Sequence, residues 1–381
     1  MLLLLIIIYI IFISLGLPDS MLGTAWPVMY GDLHVDIGFA SIVSMITLFS
    51  TSAISFVSGK YIRKYGTFKL TFVSVLFTIA GMLGIALSPN IWVVCLFSVI
   101  LGMGGGAIDA ALNAYVAKHF STRHMSWLHA FWGVGVSLSP VLLAPFLKNA
   151  NWRLGYIAVM ALQSLLALFV FINRKQWLLI PENFDLPAKH KQLTTWQILC
   201  KKGLLSSIAC SGMYSALEFT LGTWCASFLV FYSGQNPENA ALFVAVYYAG
   251  ITLSRILTGF ISEKYTDNRL LHGGAVLALF GIAMLFFKNQ YIIMAAMFCI
   301  GMGYGPIYPA QLHRIPQLFG HSYAADIIGF HMAGSYTMGF LVQNVVGFVA
   351  DKSSFVILPY TLLACCALLF VFNQTTIQRT K

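Results

Sequence analysis

Apolar runs of 18 or more residues recur along the whole chain, and no other feature narrows its fold so far. Each run is long enough to cross a bilayer core of roughly 30 Å. Inside lipid every backbone amide must find its partner within the protein, so only helices and closed barrels can span. The runs are continuous rather than alternating and far longer than barrel strands, so they read as helices. Composition agrees. Only 9% of the 381 residues are charged and 59% are hydrophobic, against about 25% charged residues in soluble domains.

The runs place twelve spans at roughly 3–29, 37–58, 68–88, 91–117, 126–147, 153–173, 205–231, 239–261, 270–287, 291–312, 324–349 and 354–373. The predicted fold class is all-α integral membrane. The first residues, MLLLLIIIYIIF, imitate a signal-peptide core but lack a basic flank and a small-residue cleavage pattern. They are read as the retained start of span one.

The net charge of +10 invites a nucleic-acid reading until its placement is considered. By this topology about 17 of the 22 Lys and Arg fall in alternate loops and the C-terminal tail, about four fall in the other set, and Arg255 falls inside a helix. That is the positive-inside pattern. It puts both termini in the cytoplasm of a multi-pass protein of a bacterial inner membrane, with membrane lipids rather than nucleic acid as the surface partner. The one long polar stretch, 174–204, divides the spans six and six. The predicted organisation is an N-terminal half (1–173), a cytoplasmic linker (174–204) and a C-terminal half (205–381).

The halves repeat each other. LGMGGGAID (101–109) matches IGMGYGPIY (300–308) at an offset of 199, and GKYIRKYGTFK (59–69) matches GFISEKYTDNR (259–269) at an offset of 200. Two matches at nearly one offset, on either side of a central polar stretch, argue for duplication. Twelve helices in two six-helix pseudo-repeats follow.

The loop after span two resembles the signature loop of the major facilitator superfamily: Gly, three residues, Asp, Arg, one residue, Gly, then basic residues. Gly59, Lys64, Gly66 and Lys69 fit, while Arg63 stands where the Asp is expected. The second copy supplies Gly259, Glu263, Lys264 and Arg269, with Thr266 in place of the second Gly. The resemblance implies that these loops cap helix ends and hold one conformation through charge contacts. GLPDSMLGTAWP, GAIDAALNAYV, LHAFWGVG, LEFTLGTW and GPIYP are further similar to the fucose-permease-like sugar–proton symporters. That resemblance implies proton coupling and sugar recognition through acids of spans one and four, here Asp19 and Asp109. The arginine and Gly-Pro marks of drug–proton antiporters are missing, as Ser98 and Ser139-Pro140 show.

Ionisable residues inside a membrane cost about 2.5–3.5 kcal/mol on the most lenient scale and tend to mark function. Three acids qualify: Asp19, Asp109 and Glu218. They are the expected proton-coupling residues. Asp19 follows Pro18, and Gly16, Gly23 and Trp26 share its helix face, so Trp26 is expected to offer a ring to a cavity. A helix-bend carboxylate tied to neighbouring backbone is the competing reading. Asp109 and Asn113 lie one turn apart, suited to a hydroxyl pair or to a bond between helices. Glu218 precedes Gly222 and Trp224. His129, Trp224, Tyr308, His331, Gln343 and Asn344 complete the expected substrate-binding set. Arg255 is expected near the cytoplasmic end of span eight, paired with a loop acid or extended to the surface, which leaves the cavity three acids and no base.

The seven cysteines are scattered without a CxxC pair and read as buried small hydrophobes. LGMGGG lacks the Lys-Ser/Thr of a phosphate loop. No metal-ligand or nucleophile–base spacing occurs, so no enzyme, metal or cofactor is expected. The function read from the residues is secondary active transport by alternating access, as proton-coupled symport of a neutral polar solute such as a sugar, by a monomer. A proton antiporter exporting a drug or metabolite remains open, as does a non-transporting receptor.

Overall fold

A computed structural model describes residues 2–120, 122–179, 195–261, 264–320 and 324–380. Sixteen α-helices are described: α1 Leu2–Asp19, α2 Met21–Asp32, α3 Phe39–Tyr65, α4 Thr67–Ala86, α5 Ile91–His119, α6 Thr122–Leu147, α7 Trp152–Ile172, α8 Thr195–Leu199, α9 Leu204–Phe231, α10 Pro237–Ile261, α11 Asp267–Met284, α12 Gln290–Tyr304, α13 Ile307–His313, α14 Ile315–Phe319, α15 Ala324–Lys352 and α16 Ile357–Thr380. A 3-10 turn, Arg174–Leu179, follows α7. The middle of the expected linker, 180–194, lies outside the described residues.

Two spans are broken helices. Pro18, which has no N–H to donate, ends α1, so α1 and α2 form one stretch of 31 residues with a break at Ser20. Gly305-Pro306 and Arg314 divide the tenth span into α12, α13 and α14. Counted this way, twelve spans result. Among the described residues, eight stretches are long and apolar enough on their own to cross a membrane. The rods α3, α9, α11 and α15 pack between them and complete the set.

The repeat is written into the packing. Glycines substitute for hydrophobic pressure inside membranes, because bare backbones can approach closely. A Cβ on Gly102 would collide with the Thr47 carbonyl oxygen, and one on Gly301 would collide with that of Tyr247. Gly104 meets Ser74 and Thr78 of α4 as Gly303 meets Gly274 and Ala278 of α11. Gly106 meets Thr51 and Ile54 of α3 as Gly305 meets Ile251 and Ser254 of α10. Each of these glycine pairs keeps the offset of 199 seen in the sequence. Even the helix caps repeat: Asn90 accepts from Trp92 N and Val93 N at the start of α5, and Asn289 accepts from Tyr291 N and Ile292 N at the start of α12.

The halves meet along α6–α10, α2–α9 and α3–α15. Several of their close contacts lie at the face away from the chain termini. A Cβ on Gly23 would collide with the Gly222 carbonyl oxygen, and one on Gly347 would sit 2.5 Å from the Trp224 ring and 2.9 Å from Ser41 Oγ. Ser41 Oγ donates to the Gln343 carbonyl at 3.2 Å, and Lys148 pairs with Glu238 at 3.5 Å. At the opposite face α1 packs on α5, α6 and α7 of its own half. Span one therefore meets the C-terminal half mainly through α2, on the face away from the termini, and the face that carries both termini is the more open.

Candidate functional site

The break after Pro18 turns Asp19 out of the α1 packing, and its side chain is exposed although it sits mid-span. Asp19 Oδ2 accepts from Trp132 Nε1 at 2.7 Å. The two helices come this close because Gly16 and Gly135 interlock: a Cβ on Gly135 would collide with the Ile13 carbonyl oxygen. Asp109, half-buried on α5, lies in electrostatic reach of Asp19, as does Glu218 on α9. Asn113 Nδ2 donates to Asp109 Oδ1 at 2.8 Å and to the Asp109 carbonyl at 2.9 Å. The one-turn spacing thus produces an intrahelical pair.

Glu218 is held differently. Arg255 Nη2 lies 3.5 Å from Glu218 Oε1, with the two side chains 11% and 15% exposed. This corrects the expected place of Arg255. It does not pair with a loop acid or reach for the surface. It lies inside the membrane-spanning bundle, because α9 and α10 are neighbours and bring together residues 37 positions apart. Its guanidinium also lies over the Trp132 ring, 5.1 Å from the centroid. Trp132 therefore touches Asp19 of its own half through its N–H and Arg255 of the other half through its face. The expectation of a cavity without a base is likewise overturned.

Tyr308 is the repeat counterpart of Asp109. Its ring stacks on Tyr214 at 5.8 Å, and it lies in electrostatic reach of Asp109, Glu218 and Arg255. Tyr336, stacked on Phe219 at 6.2 Å, lies in reach of Asp19 and Asp109. His129 is exposed, with the Phe12 ring edge-on at 6.0 Å. These residues, Asp19, Asp109, Asn113 and the Glu218–Arg255 pair form one polar region between the halves.

Other expected residues sit elsewhere. Trp26 is fully buried and donates to the Ile37 carbonyl at 2.7 Å, so its ring is not offered to the cleft. Trp224 is also fully buried and donates to the Gln343 carbonyl at 2.8 Å. Gln343 Oε1 accepts from Thr223 at 3.0 Å. All three belong to the face away from the termini. His331 is enclosed between Ser207 (2.9 Å) and the Ile327 carbonyl (2.9 Å), and Asn344 bonds back to the Phe340 carbonyl. In the signature loop Gly66 adopts φ +82, a left-handed conformation that favours glycine, and ends α3. Lys64 lies over the Tyr65 ring and Lys264 N bonds the Ile261 carbonyl. The Arg63 side chain and Glu263 lie outside the described residues.

Sequence reasoning missed Trp132, Tyr336 and the true partner of Arg255. A signal existed for two of them. Trp132 stands one turn after His129, and an arginine within an apolar helix demands a buried counter-charge.

The chain matches the Major Facilitator Superfamily over residues 8–343. It is 19% identical to the glucose/mannose transporter GlcP of Bacillus subtilis, over 98% of this chain and 94% of that one. Among solved structures, the inward-facing, occupied bacterial homologue of the human lysosomal transporter Spinster superposes with a TM-score of 0.75 at 12% identity, covering 99% of this chain and 96% of the other. The nucleoside transporter NupG, solved as a point mutant, gives 0.76 at 14% identity, covering 98% and 99%.

Proposed function

The chain belongs to the Major Facilitator Superfamily and is a multi-pass membrane transporter rather than an enzyme, and from that premise we propose that it couples proton entry to uptake of a neutral polar solute such as a sugar. The observation that carries this reading is the unequal treatment of the acids. Glu218 has a guanidinium beside it, whereas Asp19 is exposed in the cleft with one indole N–H on it and Asp109 is held by an amide. A carboxylate kept from cations inside a membrane is the type of group that takes up and releases a proton.

Asp19 and Asp109 carry the proton in this scheme. Asp109, Asn113, His129, Tyr308 and Tyr336 supply hydrogen-bonding groups of the kind that hold hydroxyls. Glu218, neutralised by Arg255, keeps the cleft from becoming a sink for cations and serves as a cross-helix contact that responds to its neighbours. Trp26, Trp224 and Gln343 act as the closed gate. The halves 1–173 and 205–381 rock as two bodies about the polar region, joined by 174–204. With the termini in the cytoplasm of a bacterial inner membrane, as the basic loops suggest, the open face is the inward one. The similarity to a glucose/mannose transporter supports the solute class. The unit of transport is the monomer.

The test is solute counterflow in proteoliposomes across sugars, polyols, nucleosides and amino acids, with internal pH recorded. Uptake of a neutral solute accompanied by proton entry supports the reading. Export of a cationic compound driven by an inward proton gradient would replace it with the antiporter, a reading that Asp19 and Asp109, bonded only to neutral groups among the described residues, keep in play. Binding without counterflow would replace it with a receptor.

A further inference from the structure

Far from the cleft, at the face that carries the termini, the start of α9 meets the ends of α14 and α16 around a hollow of about 1060 Å³. Among the described residues, three basic side chains line it, Lys201, Lys202 and Arg379, and no acidic one does. The hollow is built rather than incidental. Gly203 takes φ +80, and a Cβ there would strike Thr380 at 2.8 Å, so the bare elbow lets the end of α16 close one wall. Lys201 Nζ donates to the Phe319 carbonyl at 3.2 Å and fixes another wall. Ile198, Leu204, Ile315, Phe319 and Ile327 form a separate apolar cluster that holds the floor.

The rim is amphipathic. Trp196 is 73% exposed and Leu205 63% exposed, beside the exposed Lys202 and Arg379. Tryptophan next to basic residues at the end of a membrane span is the composition of the headgroup region. Basic pockets between spans on the cytoplasmic side suit anionic headgroups. A soluble anion would need only the charges, and the exposed apolar rim would serve it nothing. An acyl chain would cover Leu205 and Trp196 while the phosphate reached the cations.

We propose that the Lys201–Lys202–Arg379 hollow binds the phosphodiester headgroup of an anionic phospholipid. The lipid bridges the start of span seven, the end of span ten and the end of span twelve, all in the C-terminal half. It thereby ties this end of the half to the membrane surface.

The test titrates delipidated full-length protein with phosphatidylglycerol against phosphatidylcholine and counts retained lipid by native mass spectrometry. The double variant Lys202→Gln/Arg379→Gln should weaken phosphatidylglycerol binding by roughly tenfold or more, since each basic residue near the surface contributes appreciably. Lys60→Gln/Lys175→Gln removes two charges elsewhere on the same face and should change binding by less than about twofold. Equal losses in both variants would overturn the site in favour of diffuse surface charge. Displacement of phosphatidylglycerol by millimolar inorganic phosphate would overturn the lipid as occupant. Because all four side chains project from ends of helices or turns, an unchanged elution profile would certify folding in each case.

Discussion

The two halves of the molecule share a backbone scheme and differ in chemistry. Gly102, Gly104 and Gly106 pack α5 onto its neighbours at the positions where Gly301, Gly303 and Gly305 pack α12 and its continuation. Yet Asp109 in one half is Tyr308 in the other, and Gly105 is Tyr304. Asp19 and Asp109, which have no basic partner among the described residues, lie in the N-terminal half, and the Glu218–Arg255 pair and the stacked Tyr214 and Tyr308 lie in the C-terminal half. A helix pressed against a neighbouring carbonyl tolerates no side chain there, so the packing positions are fixed in both copies. Residues facing the cleft touch no such wall and are free to diverge. The repeat therefore preserves the scaffold while the cleft acquires an acidic side and an aromatic, charge-neutral side.

The strongest test of the shared scaffold is substitution of its glycines. Gly102→Val and Gly301→Val should each abolish the folded protein. Overpacking typically costs about 1–3 kcal/mol, and more where the obstacle is backbone. Gly105→Ala, whose Cβ would meet only Leu15 at 3.7 Å, should leave the size-exclusion profile in detergent unchanged. Survival of either valine variant with full monodisperse yield would break the equivalence of the halves.

Next in size is the ion pair of the C-terminal half. Glu218→Gln or Arg255→Gln alone leaves a buried charge without its partner, at about 3–5 kcal/mol. Each should cut transport or thermal stability severely, and Glu218→Gln/Arg255→Gln should recover much of the stability. A double variant no better than the singles would show that the two side chains act separately. Tyr308→Phe should be milder. Losing one hydrogen bond of about 0.5–1.5 kcal/mol predicts solute affinity about 2–10-fold weaker in equilibrium binding, with proton movement per solute unaltered.

The smallest effect belongs to the face away from the termini. Lys148 and Glu238 are exposed by 66% and 30%, and such pairs contribute about 0–1 kcal/mol. Lys148→Gln should shift the balance between the open and closed forms of that face by about fivefold at most, read from spin-label distances across α6 and α10. A shift of a hundredfold would mean that this pair, rather than the glycine and tryptophan contacts, keeps the face shut.

Much of this was legible in the sequence, and the limits have physical causes. Run length gave the spans, since a bilayer imposes a length. The offset of 199–200 residues gave the repeat, since identical packing demands glycine at identical places. A bend at Asp19 was only the competing reading, because proline cannot donate yet Pro27, Pro140 and Pro145 sit inside unbroken helices. Partnerships across helices were not readable. Arg255 meets Glu218, and Trp132 meets Asp19 from 113 residues away, through helix placement that no local spacing encodes. Trp26 misled for a related reason. The shared face with Asp19 assumed one unbroken helix, whereas the break at Ser20 separates the two and the close approach of Gly23 to Gly222 buries the face that carries Trp26.

Proton coupling through the acids of the N-terminal half is tested most directly by solute-driven proton uptake into proteoliposomes carrying a trapped pH dye. Wild type, Asp19→Asn and Asp109→Asn would be compared, each also assayed for counterflow, which needs no net proton transfer. Loss of proton entry in Asp19→Asn and Asp109→Asn, with counterflow retained in at least one of them, is the predicted result. Full solute-driven proton uptake in both variants would contradict it and move coupling to Glu218 and Arg255.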